Sequence, residues 1–225
     1  MAYILNLETA TKNCSVSIAK DGITIAYREI AEQGYSHAER LHVFIEEVLK
    51  EANLSYADLS AVAVSKGPGS YTGLRIGVSA AKGLCYALSV PLIAIDTLEI
   101  LAQQLSPETV KEGSLIIPMI DARRMEVYSA IFDSSFQKIR DVEAEIISES
   151  SFADITQAVY FVGDCAEKCR TILTAANFIF VEDIIYPSAK EMSALSFIKH
   201  KKSDTVDVAY FEPYYLKDFF MARKL

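Results

Sequence analysis

The sequence predicts an α/β protein of two similar lobes, each a mixed sheet flanked by helices. Three observations carry this. The chain opens with three strands joined by tight turns, then alternates helix and strand. Its apolar stretches switch between period 2, period 3.6 and continuous runs. The opening pattern also recurs in the second half of the chain.

Residues 3–8 (Tyr-Ile-Leu-Asn-Leu-Glu) read as a strand, and the alternating run 14–20 as a second. Asp21-Gly22 is a strong hairpin signal, returning the chain as a third strand over 23–30. Ser36 with Glu39 has the spacing of a capping box, opening a helix over 37–50 with Leu41, Phe44, Ile45, Val48 and Leu49 on one face. The apolar run 59–65 reads as a buried parallel strand. A Gly-Pro-Gly loop leads into a helix over 72–88, a strand over 90–95, and a further helix capped by Asp96 with Glu99.

The second half begins again with strands at 114–121, 125–132 and within 136–146. A helix is expected over 148–158, strands at 159–162 and 178–181, a short helix over 164–174, and a helix to about Lys199 capped by Ser188 with Glu191. Residues 210–217 read as extended. The run from Ile4 to Glu8 matches that from Ile116 to Asp121, each followed by an alternating strand and a turn at Asp21 or Asp133. The carboxylate-to-turn spacings are 13 (8 to 21) and 12 (121 to 133). Lobes over 1–108 and 109–225 follow, with the C-terminal segment a candidate to return to the first lobe.

Composition limits the function classes. With 225 residues, 51% hydrophobic and 23% charged, the chain can bury a sizeable core and is not expected to be disordered. The net charge of −8 argues against a protein that grips nucleic acid alone, since phosphate contacts dominate such affinity. The basic clusters Lys199-His200-Lys201-Lys202 and Arg123-Arg124 read as solvated helix ends or turns. No signal peptide or membrane span is expected, which points to the cytoplasm and to reduced cysteines at 14, 85, 165 and 169.

Metal motifs are weak. Cys165 and Cys169 lie one helical turn apart with no further ligand nearby in sequence. His37 and His42 are five apart, off the spacing of a helical zinc pair. A cleft between two lobes could hold a nucleotide, its phosphates on the turns after the first strand of each. Here those turns, Glu8-Thr9-Ala10-Thr11 and Asp121-Ala122-Arg123-Arg124, contain no Gly for close backbone approach. Glu8 and Asp121 are therefore read first as strand-end polar residues, with a working carboxylate pair as the alternative.

The segment from Gly67 to Gly83 is neither a P-loop nor a dinucleotide fingerprint. Gly73, Gly77 and Ala81 instead repeat every four residues, with Ala80 beside them. Glycine inside a helix costs about 1 kcal/mol against Ala. Close approach of another helix, either 37–50 of this chain or one of a partner, is the expected compensation.

Together, Ile4-Leu-Asn-Leu-Glu-Thr-Ala-Thr11, Ser36-His-Ala-Glu-Arg-Leu41, Lys66-Gly-Pro-Gly-Ser-Tyr-Thr-Gly-Leu-Arg-Ile-Gly77, Asp121-Ala-Arg-Arg-Met-Glu-Val-Tyr128 and Glu212-Pro-Tyr-Tyr-Leu216 closely resemble the TsaB (YeaZ) family. The resemblance covers nearly the whole chain. It implies an actin/Hsp70-like (ASKHA, RNase H-like) duplicated fold and a role in forming N6-threonylcarbamoyladenosine at adenosine 37 of tRNA. In that pathway TsaC makes threonylcarbamoyl-adenylate and TsaD transfers the group to tRNA. TsaB supports TsaD as a non-catalytic paralogue, and the ATPase TsaE joins the pair. The resemblance further implies a heterodimer with TsaD, a homodimer when alone, tRNA met only indirectly, and no cofactor beyond an ATP or ADP held weakly or at the partner interface.

It places the pairing surface on the first two helices, here His37, Leu41, Phe44, Ile45, Val48, Gly73, Ile76, Gly77, Ala80 and Ala81. Glu8, Thr9 and Asp121 would be remnants of nucleotide loops. TsaD carries a His-x-x-x-His metal pair on its first long helix, whereas here Leu41 follows His37 at that spacing. No catalytic residue and no metal are expected. An independent nucleotide-binding enzyme or a glycoprotease-like peptidase is the alternative.

Overall fold

The computed structural model describes residues 1–31 and 37–217. The first half supplies β1 (Tyr3–Glu8), β2 (Cys14–Lys20), β3 (Ile23–Ile30), α1 (His37–Glu51), β4 (Ala61–Gly67), α2 (Tyr71–Leu88), β5 (Leu92–Asp96) and α3 (Thr97–Ala102). The second supplies β6 (Leu115–Asp121), β7 (Glu126–Asp133), β8 (Lys138–Ile146), β9 (Val159–Val162), α4 (Ala166–Arg170), β10 (Phe178–Phe180) and α5 (Met192–Lys201).

The two sheets have the same topology, β3-β2-β1-β4-β5 and β8-β7-β6-β9-β10. In each, the second strand runs antiparallel to the first and the fourth runs parallel to it. This repeated order is the duplicated two-lobe arrangement expected from the sequence. The first hairpin turns on Asp21 and Gly22, both at positive φ (49° and 88°), as a two-residue turn requires.

Both faces of the first sheet are covered, so β1 is buried along almost its whole length. Leu5, Leu7, Val16, Ile18, Val62 and Val64 face α1 and α2. Ile4, Ala61, Ala63, Ile93 and Ile95 face Ala189 and Met192, so α5 lies on the first sheet. Leu98, Leu101 and Ala102 of α3 pack against Ile116 and Ile120 of the second sheet. Asp96 caps α3 by accepting from Leu98 N at 3.0 Å, as its sequence predicts.

Two expected features differ. Residues 148–158 form turns, not a helix. Ser148 N donates to Ser151 Oγ at 3.0 Å, and the Ser148 and Ser150 hydroxyls bond each other. Serine side chains thus compete for the backbone a helix would use, and Phe152 turns to φ +62° to enter the core. Ser188 does not cap the last helix, which starts at Met192. Its hydroxyl instead donates to Glu29 Oε2 at 2.7 Å on β3, a long-range bond that outweighs the local capping pattern. Ser36, the expected cap of α1, lies outside the described residues. Among the described residues no helix is long and apolar enough to cross a membrane.

Candidate functional site

The site builds up around the turn that follows β1. Glu8 ends that strand fully buried, with Oε1 accepting from Ala10 N at 2.6 Å. Burial pushes its carboxyl up from the ordinary 4.5 to about 7, although the Ala10 N–H favours the charged form. Its second oxygen has no hydrogen-bond partner. Asn6 Oδ1, Thr11 Oγ1, Asn13 Oδ1, His37 Nδ1 and Ser65 Oγ are also buried without one.

The start of α2 holds this turn from outside. Ser70 N donates to Ala10 O at 2.7 Å, and Thr9 Oγ1 donates to Gly73 O at 2.8 Å. The approach is too close for any side chain. A Cβ on Gly69 would lie 2.3 Å from Ala10 O, one on Gly73 2.1 Å from Thr9 O, and one on Gly77 2.3 Å from Thr9 Oγ1. His37 closes the same turn, its Nε2–H donating to Thr11 O at 2.8 Å; burial lowers its pKa. From the other side, Asn13 Nδ2 donates to Pro187 O at 3.0 Å.

The equivalent turn of the second lobe is different. Asp121 is exposed, pairs with Lys168, and accepts from Arg123 N at 3.1 Å. Its own N–H donates to Asp164 Oδ1 at 2.9 Å. Glu8 and Asp121 thus have unlike settings, one sealed and the other at the surface beside a lysine.

The paired-helix surface also differs from the sequence reading. Leu41, Phe44, Ile45 and Val48 are buried in the first lobe's own core, as is Ala81. The small-residue face of α2 is met most closely by the turn at Thr9, with His37 at the start of α1 3.4 Å from where a Cβ on Gly73 would stand. The reason is general: the apolar stripe of an amphipathic helix first covers its own sheet. Among the small and apolar groups that α1 and α2 leave outward are Val43, Gly83 and Tyr86, with Ile76, Ala80 and Leu84 half-buried. No atom lies within 4 Å of where a Cβ on Gly83 would stand.

A family model described as TsaD, tRNA N6-adenosine threonylcarbamoyltransferase, matches residues 29–218. The chain is 30% identical over 234 residues to the tRNA threonylcarbamoyladenosine biosynthesis protein TsaB of Haemophilus influenzae, covering 99% of this chain and 96% of that protein. The chain belongs to the TsaB (YeaZ) family. TsaB of Escherichia coli is 29% identical over 231 residues, covering 99% and 97%. The solved structure of YeaZ from Pseudomonas aeruginosa superposes with a TM-score of 0.80 at 25% identity, covering 96% of this chain and all of that one.

In this TsaB-family chain the sequence-predicted residues Glu8, Thr9, His37, Gly73 and Gly77 come together in one braced turn. Asp121 stands apart, on the other lobe. Cys165 and Cys169 are buried in the apolar core of the second lobe, where burial pushes the Cys169 thiol up to about 11.

The C-terminal segment, a candidate in the sequence to return to the first lobe, lies across that lobe as a strap. Tyr214 N donates to Lys66 O at 2.7 Å, and Lys82 Nζ to Ala209 O and Phe211 O at 3.1 and 2.9 Å. The Tyr215 ring packs against Tyr71, tilted by 36° with centroids 4.8 Å apart, and its hydroxyl accepts from Arg75 Nε at 3.2 Å. Lys217 pairs with Glu126 of the second lobe. The one signal was the aromatic density of residues 210–215, which sequence alone does not aim.

Proposed function

We propose that this chain is a non-catalytic subunit in the formation of N6-threonylcarbamoyladenosine on tRNA, supporting a TsaD-type transferase. The observation that carries the reading is the braced turn after β1. In a two-lobed nucleotide cleft that turn would offer free N–H groups to a phosphate. Here Ala10 N is committed to the Glu8 carboxylate, and the start of α2 lies against Thr9 and Ala10. The near full-length match to proteins named for threonylcarbamoyladenosine biosynthesis supports the pathway. Leu41 in the core, at the position of the second histidine of TsaD's metal pair, supports the loss of that centre.

The partner surface follows from what α1 and α2 leave outward. Val43, Ile76, Ala80, Gly83 and Leu84 are exposed or half-buried small and apolar groups of these helices, to which a helix pair of the transferase, or of a second copy of this chain, would pack. A TsaE-type ATPase joins that pair, and tRNA is held chiefly by the transferase.

Size-exclusion chromatography of this chain mixed with its TsaD-type partner tests the reading, together with calorimetric titration of the isolated chain with MgATP. A stable heterodimer and no heat of nucleotide binding are expected. Tight MgATP binding with turnover by the chain alone would make it an independent nucleotide enzyme.

A further inference from the structure

The turn between β6 and β7 is built against its own backbone preference. Arg123 and Arg124 stand side by side at φ +73° and +56°. Left-handed backbone suits Gly and is tolerated by Asn and Asp, whereas a long side chain pays for its Cβ there. The first hairpin follows that rule with Asp21-Gly22. The second does not, yet its turn is firmly held. Ala122 N donates to Glu126 O and Glu126 N to Arg123 O, both at 3.2 Å, and Lys168 Nζ donates to Arg124 O at 2.8 Å. An outlier fixed this way by its surroundings warrants asking what its side chains do.

Both arginines are exposed, and among the described residues neither forms an ion pair. The nearest strand acids are already taken, Asp121 by Lys168 and Glu126 by Lys217. Lys12, exposed on the corresponding turn of the first lobe, is close enough to Asp164 to offset part of the upward shift that burial gives that carboxyl. On a chain of net charge −8 this tip is therefore locally cationic. It belongs to the second sheet's first hairpin, whereas the exposed apolar groups Val43 and Tyr86 stand on α1 and α2 of the first half.

We propose that the Arg123-Arg124 turn is a phosphate-contacting surface by which this chain touches the tRNA during modification. The proposal rests on the functional reading above and adds a direct RNA contact to it. Guanidinium forks match phosphate oxygens two at a time, and such contacts position an RNA without reading its sequence. Two of them add to affinity and to salt dependence, and they need no basic stripe across the rest of the molecule.

The test uses the complex of this chain with its TsaD-type partner and unmodified tRNA, titrated by fluorescence anisotropy across a range of KCl. The variant is Arg123→Asn with Arg124→Gly, which suits the turn better than the natural residues. Its Tm should rise by a few degrees. The slope of log affinity against log salt should fall in magnitude by about 1.5, at roughly 0.7–0.9 per lost phosphate contact. A wild-type complex that binds tRNA and a variant with unchanged affinity and slope would overturn the proposal while leaving the function standing. So would a variant that keeps the RNA slope but loses its protein partner, which would assign the turn to a protein contact. A difference between the two complexes that saturating MgATP abolishes would assign it to a nucleotide. A lower Tm would contradict the strain on which the inference stands. A wild-type complex that neither binds nor modifies tRNA would remove the functional reading and this proposal together.

Discussion

The Thr9 hydroxyl donates to the carbonyl of Gly73 at 2.8 Å, tying the turn after β1 to the first turn of α2. The bond is possible because two glycines on that helix let the backbones meet. It also gives the two glycines different costs when replaced. A Cβ on Gly73 would strike the Thr9 carbonyl, which is backbone and cannot move aside, whereas one on Gly77 would strike the Thr9 hydroxyl. Gly73→Ala should destabilise the chain by about 3 kcal/mol or prevent folding. Gly77→Ala should cost less in a Thr9→Ala background than alone. Denaturant unfolding of the Thr9/Gly77 double-mutant cycle measures this, and additive changes would argue against the contact.

Gly83 behaves oppositely. It is an exposed helix residue with open space around its Cβ position. Gly83→Ala should therefore stabilise the isolated chain by about 0.5–1 kcal/mol. Gly83→Leu should leave the isolated chain folded and weaken pairing with the transferase. Paired thermal melts and pull-downs check both, and unimpaired pairing by the leucine variant would move the partner surface elsewhere.

Glu8 should make stability depend on pH. Its folded pKa lies near 7, above the ordinary 4.5, so the folded chain binds more protons than the unfolded chain between these values. Stability from this group is greatest below pH 4.5 and is lost as pH rises to 7. The loss is on the order of 3 kcal/mol. Glu8→Gln keeps the shape and removes the proton, so the wild type should lose stability relative to the variant as pH rises from 5 to 7. Parallel curves across that window would show that Glu8 does not titrate there.

Much of the fold was legible in the sequence because local signals agreed with the global one. Asp21-Gly22 fixed the first hairpin, the continuous apolar run before Gly67 marked a strand covered on both faces, and Asp96 marked the start of α3. Ser148–Ser151 and Ser188 misled because a serine hydroxyl can bond any nearby group, and those bonds are settled by tertiary contacts. The site was half legible. The period-four spacing of Gly73 and Gly77 correctly announced a close approach, but periodicity names a face and not what lies across it. Leu41, Phe44, Ile45 and Val48, which the family resemblance places on the pairing surface, line the first lobe's own core. Nothing in the spacing of Arg123 and Arg124 disclosed their left-handed backbone, which only a structure supplies.

The most direct measurement is transfer of the threonylcarbamoyl group to unmodified tRNA by the TsaD-type transferase, supplied with threonylcarbamoyl-adenylate and a TsaE-type ATPase, with and without this chain. Transfer should depend on this chain, and none should occur when the chain is supplied without the transferase. Equal transfer with and without the chain, or transfer by the chain alone, would contradict the proposed function.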